Sequence, residues 1–284
     1  MTESYDPRLT PARDDLAADF LRSAVEAPAY AKGVTRCVVA PSAPLHTGPN
    51  AEAGRATELL MGEGFVVYED KNGWSWGQSI LDDYVGYVPS ETLGAPSLPV
   101  THRVGVLRTF LYAEPDLKSQ MLGPLSLGAL CAPGRVEGKF SQIESGGWVF
   151  TDHLKTTADL EGDYLTTAIR FIGVPYLWGG RTSLGVDCSG LVQLALQAAG
   201  VGAPRDSDMQ LLALGREIEP NPAALDRGDL VFFPGHVGIM VDNGTILHAN
   251  AWEMMVSPHP LRYVVAEIAK DHDVPITGVR RMTA

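Results

Sequence analysis

The chain has 284 residues, of which 45% are hydrophobic and 20% charged, and its formal net charge is −12 at pH 7. This length allows two or three domains with separate hydrophobic cores, and the composition is that of an ordinary globular protein. The excess of 34 acidic over 22 basic residues argues against nucleic acid, polyanionic wall polymers and anionic lipid as binding partners.

The compartment is predicted from three features of the sequence. Residues 1–23 do not combine a basic start with an apolar core of the length that a signal peptide needs. No stretch approaches the roughly 18 apolar residues of a membrane span. Three cysteines, an odd number, do not form a disulfide framework. We therefore expect a cytoplasmic protein; export by a non-standard route, or a leader absent from this sequence, stays open.

The first predicted element is a helix from Thr10 to about Val25, within an N-terminal helical segment of residues 1–30. Thr10 suits the N-cap position and Pro11 the first helical position. Apolar residues recur at helical spacing and predict a packing face: Leu16, Phe20 and Ala24.

From residue 28 to about 154 the sequence consists of short β-like runs separated by Gly and Pro, and it contains an internal repeat with an offset of 61. The repeat predicts two small closed β-barrels, residues 31–95 and 96–156, in which strands 63–68 and 125–130 are equivalent. The late strands 86–89 and 147–150 are equivalent in the same way. The pairs that share this offset are Gly62 and Gly123, Gly86 and Gly147, Tyr87 and Trp148, Val88 and Val149, and Leu93 and Leu154.

A helix is predicted directly after Asp187, because an apolar run rich in Ala and Leu continues from Cys188 to Ala199 and ends at Gly200. Asp187 or Ser189 is a suitable N-cap. Cys188 then lies in the first turn, where unpaired N–H groups and the helix dipole favour an anion, so we expect a lowered thiol pKa. The thiolate is the nucleophilic form of cysteine.

Two histidines downstream are candidate bases for this thiol. Residues 227–241 indicate two buried strands separated by Pro-Gly, and residues 245–250 indicate a return strand. A three-residue turn, Asp242 to Gly244 with Gly244 left-handed in a bulge, places His236 and His248 on one face as diagonal neighbours. A two-residue Asn243-Gly244 turn would place them on opposite faces.

The sequences PYLWGG and DCSGLV, followed by GHVGIMVDNGTILHA, resemble the NlpC/P60 cysteine peptidases. The resemblance covers residues from about 164 to the C-terminus. It implies an α+β fold in which a papain-like catalytic domain, residues 157–284, packs helices on a small antiparallel sheet after the two barrels. It also implies that Cys188 is the nucleophile, that His236 is the general base and that His248 orients His236. Tyr176 matches the aromatic residue near the oxyanion, and the Cys188 N–H is the expected oxyanion donor.

The two barrels resemble bacterial SH3 domains. Tandem SH3 units before an NlpC/P60 domain resemble, more narrowly, the γ-D-glutamyl-L-diamino-acid endopeptidases of dipeptidyl-peptidase VI type, which require a free N-terminal L-Ala. The resemblance implies that the first barrel holds the α-ammonium through Glu58 and Tyr84, because a buried ammonium needs a paired carboxylate. Glu58 is otherwise a solvated strand-end acid and Tyr84 a rim aromatic. Ser119 takes the position of Glu58 in the second barrel, which favours a spacer role there.

Four residues near the nucleophile are further candidates for substrate contacts. Asp187 is a second group that faces the substrate amine, and Ser189 follows the nucleophile. The resemblance assigns Arg205 and Ser207 to the D-Glu carboxylate, which suits the fork of an arginine. Alternatively, Arg205 is an ion-pair partner of Asp206 or Asp229.

The other cysteines and histidines receive ordinary structural interpretations. Cys37 and Cys131 are expected to be inert buried thiols. Zinc is the competing use of one cysteine and two histidines, but no second Cys or close His pair has finger-like spacing, so we expect no metal. Five histidines are expected to be surface or satisfied core residues: His46, His102, His153, His259 and His272.

The sequence therefore predicts a cofactor-free cysteine peptidase of cell-wall peptide recycling. Its expected partner is a murein-derived peptide, L-Ala-γ-D-Glu-diamino acid, cut after the D-Glu. Two alternatives remain: an exported hydrolase of the same chemistry that acts on intact peptidoglycan, and a non-enzymatic wall-peptide-binding protein. The diamino acid and the oligomeric state are not predicted.

Overall fold

Two units, residues 1–158 and 159–284, make up the chain. A computed structural model describes residues 5–96 and 99–282. Residues 1–4, 97–98 and 283–284, which fall in the predicted segments 1–30, 96–156 and 157–284, lie outside the described residues. The fold is α+β: in the described part of the chain, the first unit is built from strands and the α-helices belong to the second. None of the helices within the described ranges has the length and apolarity to cross a membrane.

The predicted N-terminal helix is wrong. Strand β1 (Ala17–Ala18) pairs in parallel with β2 (Tyr30–Ala31), and only one 3₁₀ turn, Asp19–Leu21, follows β1. Phe20 of the predicted packing face is 65% exposed, whereas both residues of β1 are fully buried.

The N-terminal segment instead lies along the first barrel. The Val85 N–H donates to the carbonyl of Arg8 at 2.7 Å. The Arg13 guanidinium lies 4.4 Å above the Trp76 ring and donates to the Tyr87 hydroxyl at 3.0 Å. These long-range contacts outweigh a local helix preference that is worth only a few tenths of a kcal/mol per residue.

The first barrel is a seven-stranded sheet in the order β5-β4-β8-β7-β6-β3-β9. Its pairings are antiparallel, and its interior is a cluster of buried apolar residues that includes Leu45, Phe65 and Val88. The strands are β3 (Val34–Val38), β4 (Ser42–His46), β5 (Arg55–Leu60), β6 (Gly64–Lys71), β7 (Trp74–Ser79), β8 (Val85–Pro89) and β9 (Leu93–Gly94).

The second barrel combines a three-stranded sheet, β13-β10-β17, with a five-stranded sheet, β12-β11-β16-β15-β14. The strands are β10 (His102–Val104), β11 (Arg108–Tyr112), β12 (Met121–Ser126), β13 (Leu130–Cys131), β14 (Pro133–Glu137), β15 (Phe140–Ile143), β16 (Trp148–Phe150) and β17 (Leu154–Thr156).

The two barrels repeat one another, but not with a single offset. Pro44 pairs with Glu58 in the first barrel, and Phe110 pairs with Pro124 in the second, so these positions are 66 apart. Gly62 (φ +82°) likewise corresponds to Gly128 (φ +87°) rather than to Gly123. The prediction that strand 63–68 matches 125–130 is therefore wrong.

Beyond β7 and β15 the offset becomes the predicted 61. The hydroxyls of Ser75 and Ser90 lie 3.0 Å apart, and those of Ser141 and Thr151 lie 2.9 Å apart, in the same place in each barrel. The connection between these strands is thus five residues shorter in the second barrel. The residue equivalent to Glu58 is Pro124, not Ser119; neither carries a carboxylate.

The second unit packs helices on a six-stranded antiparallel sheet of order β20-β25-β21-β22-β23-β24. Helix α2 packs against α1, β22 and β23, and α4 covers a core that includes Val231, Met240 and Ile246. The elements are α1 (Tyr164–Ile169), β18 (Arg181–Thr182), β19 (Gly185–Val186), α2 (Cys188–Ala198), α3 (Ser207–Ala213), β20 (Arg216–Ile218), β21 (Leu230–Phe233), β22 (His236–Met240), β23 (Thr245–Asn250), β24 (Met255–Pro260), α4 (Leu261–Ile268) and β25 (Gly278–Arg281).

Candidate active site

Helix α2 begins at Cys188, as predicted. The Asp187 carboxylate caps the helix by accepting the Gly190 N–H at 2.7 Å. Gly190 is required for this start, because a Cβ there would lie 2.4 Å from the Gly180 carbonyl oxygen. Gly200 (φ +80°) ends the helix in the left-handed conformation typical of a C′ glycine.

The Cys188 thiol lies against the first residues of β22. The backbone N–H groups of Val237 and Ser189 both hydrogen-bond to its sulfur. Val237 directly follows His236, so the strand begins beside the thiol. Burial, and then the nearby Cys188 and Asp187, raise the pKa of the Tyr176 hydroxyl, which places this half-buried ring next to the nucleophile.

His236 and His248 are in contact. Nε2 of His236 lies 2.7 Å from Nδ1 of His248. The sheet register explains this contact: Ile239 pairs with Leu247 and Met240 with Ile246, so the two histidines are diagonal neighbours on one face. Because Nε2 of His236 faces His248, Nδ1 is the nitrogen left for the thiol.

The predicted three-residue turn, Asp242 to Gly244, is confirmed by this register. The Val241 N–H donates to the Thr245 carbonyl at 2.8 Å. The left-handed conformation predicted for Gly244 is wrong, since Gly244 does not have a positive φ. The Asp242 carboxylate instead accepts the N–H groups of Gly244 and Thr245, both at 2.8 Å, and closes the turn through its side chain.

Burial keeps the thiol and the imidazoles neutral. It raises the pKa of Cys188 to about 12, with a further contribution from Asp187, and lowers the pKa of His236 to about 4. Burial and the two neighbouring histidines lower the pKa of His248 to about 3. The lowered thiol pKa predicted from the helix start is therefore wrong. The N–H groups of Val237 and Ser189 do favour the thiolate, but desolvation is the larger effect.

Asp187, Arg205 and Ser189 form one buried network. The Arg205 guanidinium grips both Asp187 oxygens, at 3.0 and 2.6 Å, and donates to the Ser189 hydroxyl at 2.8 Å. Asp187 is thus an ion-pair partner of Arg205 that the sequence interpretation did not name, and Asp229, one of the predicted alternatives, pairs with Arg281. The Arg205 side chain is 1% exposed. Its guanidinium therefore binds a carboxylate of the protein itself, Asp187. The sequence analysis had expected it to bind the D-Glu carboxylate of the substrate.

Ser207 and the two candidates in the first unit have different surroundings. Ser207 is the first residue of α3 and is half-buried. Glu58 lies in β5, is 6% exposed, and accepts a hydrogen bond from Arg55 at 2.8 Å, so it is not a solvated acid. Tyr84 is 6% exposed and belongs to the apolar cluster of the first barrel, so it is not a rim residue.

His259 has contacts that the sequence interpretation missed. Its Nδ1 lies 3.1 Å from Nε2 of His248, on the side away from His236. This contact could have been found by predicting a strand after residues 251–254. In that strand Ser257 pairs with His248, so His259 is a diagonal neighbour of His248. Gln210 was also missed; its amide nitrogen donates to the Ser189 carbonyl at 2.9 Å and supports the first turn of α2.

The remaining thiols and histidines lie elsewhere. Burial raises the pKa of Cys37, and raises that of Cys131 to about 12. In the barrels, a ring nitrogen of His46 hydrogen-bonds with the Ala53 carbonyl, and one of His153 with the Thr109 hydroxyl. Across residues 5–96 and 99–282, no group of three or more His, Cys, Asp or Glu side chains has a geometry that could hold a metal ion.

Comparison with protein families gives two matches. Residues 173–271 match the NlpC/P60 family, and residues 45–93 match the bacterial dipeptidyl-peptidase Sh3 domain. Dipeptidyl-peptidase 6 of Lysinibacillus sphaericus is 26% identical over 238 residues, which are 75% of this chain and 86% of that protein. A gamma-D-glutamyl-L-lysine dipeptidyl-peptidase of Bacillus subtilis is 37% identical over 214 residues, 68% of this chain and 71% of that protein.

The fold has a solved counterpart. The crystal structure of an NlpC/P60 family protein from Bacillus cereus aligns with a TM-score of 0.74 at 20% identity, over 88% of this chain and 100% of that one. At this identity the likeness concerns the fold, and it confirms the predicted α+β architecture.

Proposed function

Because this chain belongs to the NlpC/P60 family of cysteine peptidases, we propose that it hydrolyses the bond between γ-linked D-Glu and a diamino acid in murein-derived peptides. The peptide carries a free N-terminal L-Ala. The observation that carries the catalytic part is the 2.7 Å contact between His236 and His248, which leaves one nitrogen of His236 for the thiol at the start of α2. The names of the two relatives, a dipeptidyl-peptidase and a gamma-D-glutamyl-L-lysine dipeptidyl-peptidase, support the choice of bond.

Acylation begins from a neutral thiol. Nδ1 of His236 takes the proton of Cys188 as the sulfur attacks the γ-carbonyl carbon of D-Glu. The Cys188 backbone N–H, at the start of α2, donates to the oxyanion, and Tyr176 lines this side of the site. His236 then gives its proton to the leaving amine of the diamino acid, and a thioester remains.

Deacylation uses the same base. His236 takes a proton from water, the resulting hydroxide attacks the thioester carbonyl, and the proton returns to the leaving sulfur of Cys188. His248 holds His236 in the tautomer that keeps Nδ1 free to accept a proton. The products are L-Ala-γ-D-Glu and a peptide that begins with the diamino acid.

Substrate selection is the second part of the proposal. Glu58 and Tyr84 bind the ammonium of L-Ala, and Ser207 binds the D-Glu carboxylate. Two differences between the barrels support the first assignment: Pro124 replaces Glu58 in the second barrel, and the connection that carries Tyr84 is five residues longer in the first. Arg205 acts through the groups it holds, Asp187 and Ser189, rather than as an open carboxylate receptor.

The cellular role that follows is recycling of free wall peptides in the cytoplasm. Its supports are the three free cysteines, which suit a reducing compartment, and the net charge of −12, which disfavours polyanionic wall polymers. The alternative is an exported hydrolase of the same chemistry that cuts intact peptidoglycan.

The test is a substrate panel with products identified by mass. We expect cleavage of L-Ala-γ-D-Glu-L-Lys or its diaminopimelate analogue, and turnover lower by orders of magnitude when the N-terminus is acetylated or joined to a muramyl sugar. Cys188→Ala should abolish cleavage and keep the fold, whereas Cys37→Ala should change neither.

The panel also separates the alternatives. Equal cleavage of free and sugar-linked stems, or release of peptides from intact sacculi, would favour the exported hydrolase. Residual cleavage by Cys188→Ala would contradict the mechanism. Tight binding of stem peptides without any product would favour the non-enzymatic protein.

A further inference from the structure

The two histidines of the site belong to a longer chain of contacts that ends at the surface. Beyond His248, Nδ1 of His259 lies 3.1 Å from Nε2 of His248, and Nε2 of His259 lies 3.4 Å from a carboxylate oxygen of Glu253. The order of groups is therefore His236, His248, His259 and Glu253, and successive groups meet through opposite ring nitrogens. From His248 outward the side chains become more exposed: His248 is fully buried, His259 is 15% exposed and Glu253 is 48% exposed.

Aromatic rings hold the outer part of this chain. Tyr263 stacks on His259 with the ring centroids 5.8 Å apart and the planes 27° from parallel. Trp252 meets His248 and His259 edge-on, at 5.6 and 6.4 Å. Because Tyr263 stacks on the His259 ring and Trp252 meets it edge-on, packing as well as hydrogen bonding holds its orientation toward His248.

The number of protons on the three histidines determines which ring nitrogens carry them. When the three imidazoles are neutral they carry one N–H each, and the chain has three contacts, each of which needs one proton between its two atoms. A hydrogen bond from Ser257 holds the pKa of Glu253 below its usual range, so this carboxylate is ionised at neutral pH and only accepts. All three contacts are then satisfied by one arrangement, in which every ring is protonated at Nε2 and Nδ1 of His236 is left bare.

The reverse arrangement is unfavourable at the outer end. A proton on Nδ1 of His236 would move every proton one nitrogen inward and leave the Nε2 lone pair of His259 facing the carboxylate of Glu253. Such a contact is repulsive, since both atoms are acceptors. Glu253 therefore sets the direction of the whole chain, and His259 transmits it to His248.

We propose that His259, with Glu253, is a positioning pair that fixes the tautomer of His236 through His248, so that Nδ1 of His236 can accept the thiol proton. This rests on the proposed function for its effect on turnover, but the tautomers themselves exist in the free protein. Neither residue touches the reacting atoms.

The direct test measures tautomers in the free protein. Long-range ¹H–¹⁵N spectra of the full chain with ¹⁵N-labelled histidine, at pH 7, should show Nε2–H and bare Nδ1 for His236, His248 and His259. In His259→Leu, we expect His236 and His248 to give averaged signals of both tautomers. His259→Asn keeps an acceptor near the Nδ1 position and should restore the Nε2–H form.

The kinetic test uses the same variants on the free tripeptide. His259→Leu should lower kcat by about 10- to 100-fold with little change in KM, because the substrate contacts remain and the base is populated in the wrong form. Glu253→Leu should lower kcat less, and His259→Asn should recover most of it. His272→Leu, which removes an exposed histidine of the same unit, is the matched control and should match the unmodified protein.

The outcomes separate this proposal from the proposed function. If the unmodified protein cleaves no stem peptide yet the tautomers shift as expected in His259→Leu, the substrate assignment fails and the positioning pair stands. Unchanged His236 and His248 tautomers in a folded His259→Leu would overturn the pair, whatever its kcat. If His259→Leu does not fold, the Nε2–H form persisting in Glu253→Leu would overturn it as well.

Discussion

Burial has a larger effect than the helix N-terminus on the protonation of single residues in the site. The Cys188 sulfur receives two backbone N–H groups, yet burial still raises its pKa to about 12. The same burial lowers the pKa of His236 to about 4, although Asp187 acts in the opposite direction. The Cys188 thiol and the His236 imidazole are therefore both neutral near pH 7, and in the proposed mechanism the proton moves during attack.

The pH dependence of kcat/KM should show this neutral pair. His236 accepts the thiol proton only when it is itself unprotonated, and its lowered pKa means that it binds a proton only as the pH falls toward about 4. We expect kcat/KM to be nearly constant from pH 7 to about 5.5 and to decline below that. A decline with a midpoint at or above 6.5, the ordinary value for histidine, would contradict this expectation.

At this scale, the sequence predicted the site residues that belong to local motifs, and it did not predict contacts between residues far apart in the chain. Cys188, His236 and His248 belong to motifs whose strand and helix context is readable, and the structure brings them to one place. Asp187, a partner of Arg205, lies 18 residues away in the sequence, at the N-cap of α2. The direction in which the pKa of the Cys188 thiol shifts depends on atoms from several elements. The contact of His259 with His248 was missed because it depends on the pairing of β24 with β23, and β24 was not predicted.

Among the elements, the start of α2 is tightly fitted to the chain that precedes it. Gly190 lies under the Gly180 carbonyl, and the Asp187 carboxylate that caps the helix is bonded at the same turn. The chain entering the helix and the first turn of the helix therefore leave no room for a Cβ at position 190 unless one of them shifts.

Gly190→Ala should therefore destabilise the protein and disable the site. The new Cβ would lie 2.4 Å from a backbone oxygen, so we expect a loss of about 1–3 kcal/mol in unfolding free energy, measured in urea, and a large drop in kcat. Gly202→Ala is the matched control, because nothing lies within 4 Å of its Cβ and its φ is not positive. Equal stability of the two variants would show that the backbone can relax here.

Elements whose conformation depends on neighbouring residues in the sequence were predicted better than elements whose conformation depends on contacts with distant residues. The turn at Asp242 was predicted because its length follows from alternation in the two strands, although its closure by the Asp242 side chain was not. The helix at residues 10–25 had a suitable N-cap, a proline at the first position and an apolar face, yet it does not form, and Arg13 is instead bound to Tyr87 and Trp76 of the first barrel. The barrel repeat was recognised, but a constant offset concealed a change of turn length.

At the scale of the whole molecule, each unit has its own core. The cluster around Phe65 and Leu59 belongs to the first unit, and that around Val231 and Val264 to the second. If the proposed function is correct, catalysis belongs to residues 159–284, and selection for a free N-terminus depends in part on Glu58 and Tyr84 of the first unit.

This separation predicts the behaviour of the second unit alone. Residues 159–284 should fold and retain alkylation of Cys188 by iodoacetamide, mapped by mass, but should lose the preference for a free over an acetylated N-terminus. Glu58→Gln in the full chain should raise KM for the free tripeptide and leave the acetylated one unchanged. If the isolated unit keeps the preference, Glu58 and Tyr84 do not bind the ammonium.

The connection that is five residues longer in the first barrel shows one way in which two copies of a repeated barrel can differ in function. Both copies keep the same glycine turn and the same hydroxyl pair, so the scaffold of each was preserved while one connection changed length. A change in the length of this connection is compatible with the strand pairings that the two barrels share. Chimeras that exchange only this loop and the strand facing it are accordingly the smallest redesign from which altered peptide preference can be sought.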